Sequence, residues 1–121
     1  MPLVVRQSSH WFWSGTGLRD GDEIPDLIAV EADGFDPSMP RPAGTRQTLL
    51  SASPYVDKLG RGRAVQNTSL CENHRGTLVF VAGTFSWPLA LNDPAHINPQ
   101  VQRATHNLLT RMLEPTRDDR G

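Results

Sequence analysis

Apolar positions along this chain come in short runs set between polar, glycine and proline stretches, and one segment alone carries a helical repeat. Short apolar runs bounded by turn-forming residues predict strands. Leu3-Val4-Val5 predicts a brief one at the start. Asp26-Leu27-Ile28-Ala29-Val30-Glu31-Ala32-Asp33 predicts a longer one, whose alternation sets Leu27, Ala29 and Glu31 on one face and Ile28, Val30 and Ala32 on the other. Residues 47–53 predict a strand closed by Pro54, and residues 63–72 alternate weakly as another. Leu70-Cys71-Glu72 and Thr77-Leu78-Val79 flank the turn sequence Asn73-His74-Arg75-Gly76, which predicts a hairpin. The run Thr77-Leu78-Val79-Phe80-Val81-Ala82-Gly83 is the strongest. Its unbroken apolar character is that of a central strand buried on both faces.

The helical repeat lies at residues 99–113. Asn98 suits the N-cap and Pro99 the first helical position, where its missing N–H costs nothing. Val101, Ala104 or Thr105, Leu108 and Met112 recur at helical spacing, with Leu109 and Leu113 widening the stripe, and Pro115 ends it. The elements together predict an α/β (or α+β) domain. It has a small mixed β-sheet, one long C-terminal helix packed on it, and long Pro/Gly-rich loops. Leu78, Phe80 and Val81 are expected in the core, against Leu108, Leu109 and Met112.

Length adds a bound. With 121 residues, a single domain over 1–121 is expected, with a frayed tail at 114–121. A net charge of −1 gives no field that would draw in nucleic acid or an anionic membrane. One cysteine, Cys71, excludes an intramolecular disulfide and reads as a buried small residue. The opening Met1-Pro2-Leu3-Val4-Val5-Arg6 is too short in apolar residues for a signal peptide, so the expected location is cytoplasmic.

Candidate chemistry begins with Glu31. An acid in mid-strand beside Val30 and Ala32 would be partly desolvated, and burial raises a carboxylate pKa toward the range of a general acid or base. The other reading is an acid in water or paired to an arginine. His10 sits beside Trp11 and Trp13, ahead of Gly15-Thr16-Gly17. That turn lacks the lysine and the following helix of a phosphate loop. His74, His96 and His106 share no zinc-type spacing with one another or with Cys71, so no metal site is expected. Gly83-Thr84-Phe85-Ser86-Trp87 directly follows the strongest strand. Ligands in open α/β sheets bind outside strand ends, which makes Thr84, Ser86 and Trp87 pocket candidates. Trp87 packed back on the core is the alternative. Ser86 lacks the glycine-flanked setting of a hydrolase nucleophile.

Three segments in order, His10 to Leu18, Gly83 to Trp87 and Val101 to Leu113, carry a resemblance. They resemble the C-terminal domain of the large (beta) subunit of N,N-dimethylformamidase and its relatives, over roughly residues 9–113. In that family a His-x-x-x-x-Gly-Thr-Gly-Leu opening precedes a strand bearing a glutamate. A Gly-Thr-x-x-Trp strand end and a Val-Gln-x-Ala-Thr-x-Asn helix follow. The resemblance implies that Glu31 matches the family's glutamate. It also implies amide hydrolysis assisted by an iron that tyrosines and a glutamate hold on the larger polypeptide. This chain has one tyrosine, Tyr55, and places Ser86 where relatives often have aspartate, so no cofactor is expected here.

The function expected is that of a small stand-alone homologue of this domain. It would bind a small polar organic molecule and act on an amide-like bond by acid/base chemistry. Glu31 and His10 would be catalytic, and Thr84, Ser86, Trp87 and Trp13 would contact substrate. The alternative is a non-catalytic subunit or interaction module completing a larger enzyme. The expected partner, beyond the ligand, is a second copy of the chain or a chain carrying the missing upstream region, with no nucleic acid and no membrane.

Overall fold

The computed structural model describes residues 1–28, 32–39, 43–57 and 62–114. Its strands are β1 (Leu3–Val4), β2 (Glu23–Ile24), β3 (Thr45–Leu49), β4 (Ser53–Asp57), β5 (Gly62–Gln66), β6 (Ser69–Asn73) and β7 (Leu78–Val81). Among the described residues, a 3-10 turn covers Trp11–Trp13, and helices α1 (Leu89–Asn92) and α2 (Pro99–Met112) follow the strands. Among the described residues the strands form three small antiparallel sheets, β1-β2, β3-β6-β7 and β4-β5. Small antiparallel sheets with a C-terminal helix make this an α+β fold.

The β6–β7 hairpin stands as the turn chemistry predicts, with Glu72 opposite Leu78. Two predicted strands instead break in the middle. The segment over residues 47–53 divides into β3 and β4, and Pro54 lies inside β4 opposite Val65. Proline is tolerated there because β4-β5 is a two-stranded ribbon in which each strand is an edge. The segment over residues 63–72 divides into β5 and β6 at Asn67-Thr68. One buried polar network accounts for both breaks. Ser51 Oγ donates to Gln66 Oε1 (3.0 Å) and accepts from the Thr68 amide (2.8 Å). Gln66 Nε2 donates to Thr68 Oγ1 (3.1 Å), and Thr68 Oγ1 donates to the Ala82 carbonyl (2.7 Å). Side chains thus take over the bonds that a continuous ladder would make, and no buried side-chain polar atom among the described residues lacks a partner.

The strand predicted over residues 26–33 is not formed at its start. Asp26 takes a positive φ of 59°, and Leu27 and Ile28 are both buried rather than alternating. Ile28 exchanges backbone bonds with Met1. Ala32 makes a lone bridge to Thr84. Glu31 lies outside the described residues.

β7 is an edge strand, not the central one. Val79 and Val81 are exposed, and Leu78 and Phe80 are partly buried. The central strand is β6, whose Leu70 is fully buried. An unbroken apolar run reads the same whether one face or two is covered, and only the neighbours decide.

α2 begins as predicted, with Asn98 Oδ1 accepting from the amides of Gln100 and Val101. Its buried stripe is narrower than predicted. Val101, Ala104 and Leu108 are buried, while Leu109, Met112 and Leu113 are exposed. The helix reaches the sheet through an aromatic layer. Phe12 of the 3-10 turn stacks on Phe80 of β7 (5.4 Å between ring centres), and Trp87 meets Phe80 edge-on at 5.5 Å. The narrow stripe follows, because flat rings rather than an interdigitating sheet face lie under the helix. Cys71 is half-buried rather than buried.

Candidate functional site

The motif residues build the frame that presents the site. Gly15 holds φ +77°, and a Cβ there would fall 2.9 Å from the Arg103 guanidinium. Thr16 Oγ1 donates to the Trp13 carbonyl (2.6 Å) and accepts from the Leu18 amide (3.2 Å). The Gly-Thr-Gly segment is therefore a tight turn, as its sequence context indicates. On α2, Arg103, Asn107 and Arg111 follow at spacings of four, which stacks them on one face. Arg103 Nε donates to Asn107 Oδ1 (3.2 Å), and Asn107 Nδ2 donates to the carbonyls of Ser14 (2.7 Å) and Phe12 (3.0 Å). The helix thereby fixes the 3-10 turn and the residue that caps it, His10.

His10 Nδ1 accepts the Phe12 amide proton at 3.1 Å. With Nδ1 so occupied, the proton of the neutral ring sits on Nε2. Burial holds the His10 pKa below the ordinary imidazole value; Glu72 opposes this, and Arg111 and Arg46 reinforce it. The ring is thus a neutral donor near pH 7, not a free base.

Beside it opens a cleft of about 580 Å³, lined by His10, Trp11, Arg46, Glu72, His74 and Arg111 among others. Strand alternation explains the sheet's contribution. Leu70 and Glu72 share one face of β6, so Glu72 continues the core face out to the sheet end. Antiparallel register sets Arg46 of β3 directly opposite Glu72. From α2, Arg111 Nη2 comes within 3.9 Å of Glu72 Oε1, and its guanidinium carbon lies 5.2 Å from the Trp11 ring centre. The cleft therefore has an apolar indole wall, two guanidiniums, two imidazoles and one carboxylate.

Of the residues singled out from sequence, His10 lines this cleft, and Trp13, Thr84, Ser86 and Trp87 do not. Trp13 is buried, with Nε1 shared between the carbonyls of Arg6 (3.0 Å) and Leu50 (3.2 Å). Thr84 Oγ1 donates to the Leu27 carbonyl at 2.7 Å. Trp87 is packed on the core, and its Nε1 donates to Thr105 Oγ1 at 3.1 Å. Ser86 lines a separate cavity of about 480 Å³ with Leu27, Leu89, His96 and Ile97. There His96 Nδ1 lies 3.2 Å from Asp93 Oδ2. The Ala95 amide and then His96 hold the Asp93 carboxyl below the usual carboxylate range.

Sequence reasoning missed Trp11, Arg46, Glu72 and Arg111. One signal was available for Glu72: like Glu31, it alternates onto the face of an apolar neighbour. Arg46 and Arg111 have no local signal, since register and helix placement bring them in.

The sequence matches the family described as N,N-dimethylformamidase beta subunit-like, C-terminal, over residues 1–102. The chain belongs to this family. No curated protein and no solved structure gives a match. In this dimethylformamidase beta subunit-like chain, Thr105 holds Trp87 and Asn107 holds the 3-10 turn. The tyrosine-held iron does not fit the described residues. Tyr55 OH donates to the Ala32 carbonyl at 3.3 Å, and no group of three or more His, Cys, Asp or Glu stands together there. No described helix is long and apolar enough to cross a membrane.

Proposed function

We propose that this dimethylformamidase beta subunit-like domain binds a small polar organic molecule in the cleft between the 3-10 turn, the β3-β6 sheet end and α2. The observation that carries the reading is that two kinds of donor, the His10 imidazole and Arg46, line one cleft with the acceptor Glu72, which stands opposite Arg46 in strand register, and with Trp11 as apolar wall. Pockets with apolar walls and a few convergent polar groups are the usual form of small-molecule sites. A carbonyl or carboxylate oxygen on the ligand satisfies these donors.

His10 presents a proton rather than a lone pair, which favours binding and polarisation over proton abstraction. Acid/base work on an amide-like bond would fall to Glu31, on the sequence argument alone. Glu31→Gln tests that step, with a loss of about 10²–10⁴ in turnover expected for a general acid or base.

Calorimetry on the whole chain with acetamide, benzamide, acetate and benzoate tests the cleft. Saturable binding that His10→Ala and Trp11→Ala weaken supports it. Absence of saturable binding for all four, or binding untouched by both substitutions, sinks it.

A further inference from the structure

The cleft holds two guanidiniums and a single carboxylate. Arg46 faces Glu72 in register, yet it takes part in none of the ion pairs found among the described residues. Arg111 is held loosely. Its contacts to Glu72 (3.9 Å) and Glu114 (3.8 Å) are longer than the roughly 2.7–2.9 Å of a charge-assisted hydrogen bond. Glu114 stands at the helix end and does not line the cleft. Among the charged side chains of the lining, Arg46 and Arg111 against Glu72 leave one positive charge in excess, with the imidazoles of His10 and His74 beside them.

We infer that the ligand class is a small carboxylate, bound as its anion between Arg46 and Arg111 with His10 Nε2–H as a further donor. This rests on the reading of the cleft as a ligand site. A planar monoanion matches one excess charge, and guanidinium forks match carboxylate geometry in pairs. A phosphate brings up to a second negative charge close to Glu72, which like-charge repulsion disfavours. A neutral amide leaves the excess charge uncompensated. The indole of Trp11 takes the apolar part of the acid.

Benzoate and benzamide are nearly isosteric and differ in charge, so they decide the question by calorimetry on the whole chain at neutral pH and low salt. Inorganic phosphate is the third probe. Benzoate should bind about tenfold or more tighter than benzamide, the scale of one charged hydrogen bond. Added salt should weaken benzoate alone. Arg46→Gln should remove the preference, Arg46→Lys should keep part of it, and Glu72→Gln should tighten benzoate. Arg46 is exposed, so these changes spare the core, and circular dichroism checks the fold. Benzamide binding as tightly as benzoate, phosphate binding tighter than both, or an Arg46→Gln variant that keeps the preference overturns the carboxylate assignment while leaving the cleft a ligand site. Failure of every probe to bind overturns both.

Discussion

The Asn107 side-chain amide donates to the Ser14 carbonyl at 2.7 Å, across 93 residues of chain. The same nitrogen reaches the carbonyls of Phe12 (3.0 Å) and Trp11 (3.3 Å). The Trp11 carbonyl also accepts the Ser14 amide within the turn, and one helix side chain serves all three carbonyls at the turn's end. Asn107→Leu should lower stability by about 1–3 kcal/mol, the cost of leaving such acceptors unserved. It should also weaken ligand binding, because His10 and Trp11 hang on this turn. Denaturant titration with calorimetry checks both effects. Intact stability would mean the clamp is incidental.

Leu108 and Leu109 are chain neighbours with opposite fates. Leu108 is buried in the core, at 4% exposure, and Leu109 is 55% exposed. Leu108→Ala should cost about 2–5 kcal/mol, the range for a buried leucine. Leu109→Ala should stay within about 0.5 kcal/mol, as at surface sites. Paired urea curves decide this, and equal effects would show that the stripe is wider in solution.

Gly83 holds φ +73°, and a Cβ there would lie 2.2 Å from the Asn67 carbonyl oxygen and 2.8 Å from Gln66 Nε2. Gly62 has φ +96° with nothing near it. Gly83→Ala therefore meets both backbone strain and a clash with the polar network, and should cost well over about 1 kcal/mol. Gly62→Ala meets the strain alone. Melting temperatures should fall markedly more for Gly83→Ala.

His10 makes stability pH-dependent. Its folded pKa lies below the ordinary 6.5, chiefly from burial. The unfolded chain therefore takes up a proton first as pH falls. Its contribution to stability is full above 6.5, declines as pH drops toward the folded pKa, and is flat below it. Protonation also puts a hydrogen on Nδ1, where the Phe12 amide now donates. Stability curves for the native chain and His10→Gln should converge on acidification through this window. A constant gap would remove His10 as the titrating group.

The helix was legible because its signals are local. Asn98, Pro99 and the Val101-Ala104-Leu108 spacing each act within a few residues of backbone. The β6–β7 hairpin was legible for the same reason, since the Asn73–Gly76 turn fixes its register. The family segments were legible too, as fixed residues at fixed intervals. Tertiary structure decided the rest. Whether β7 has one covered face or two depends on its neighbours, and the strand breaks at Ser51 and Thr68 depend on a network closed by Gln66 and Ala82. The cleft is the clearest case. Arg46, Glu72 and Arg111 lie far apart in sequence, and sheet register and helix docking alone bring their charges together. Local sequence dictates backbone conformation over a few residues, but charge proximity is a property of the packed chain.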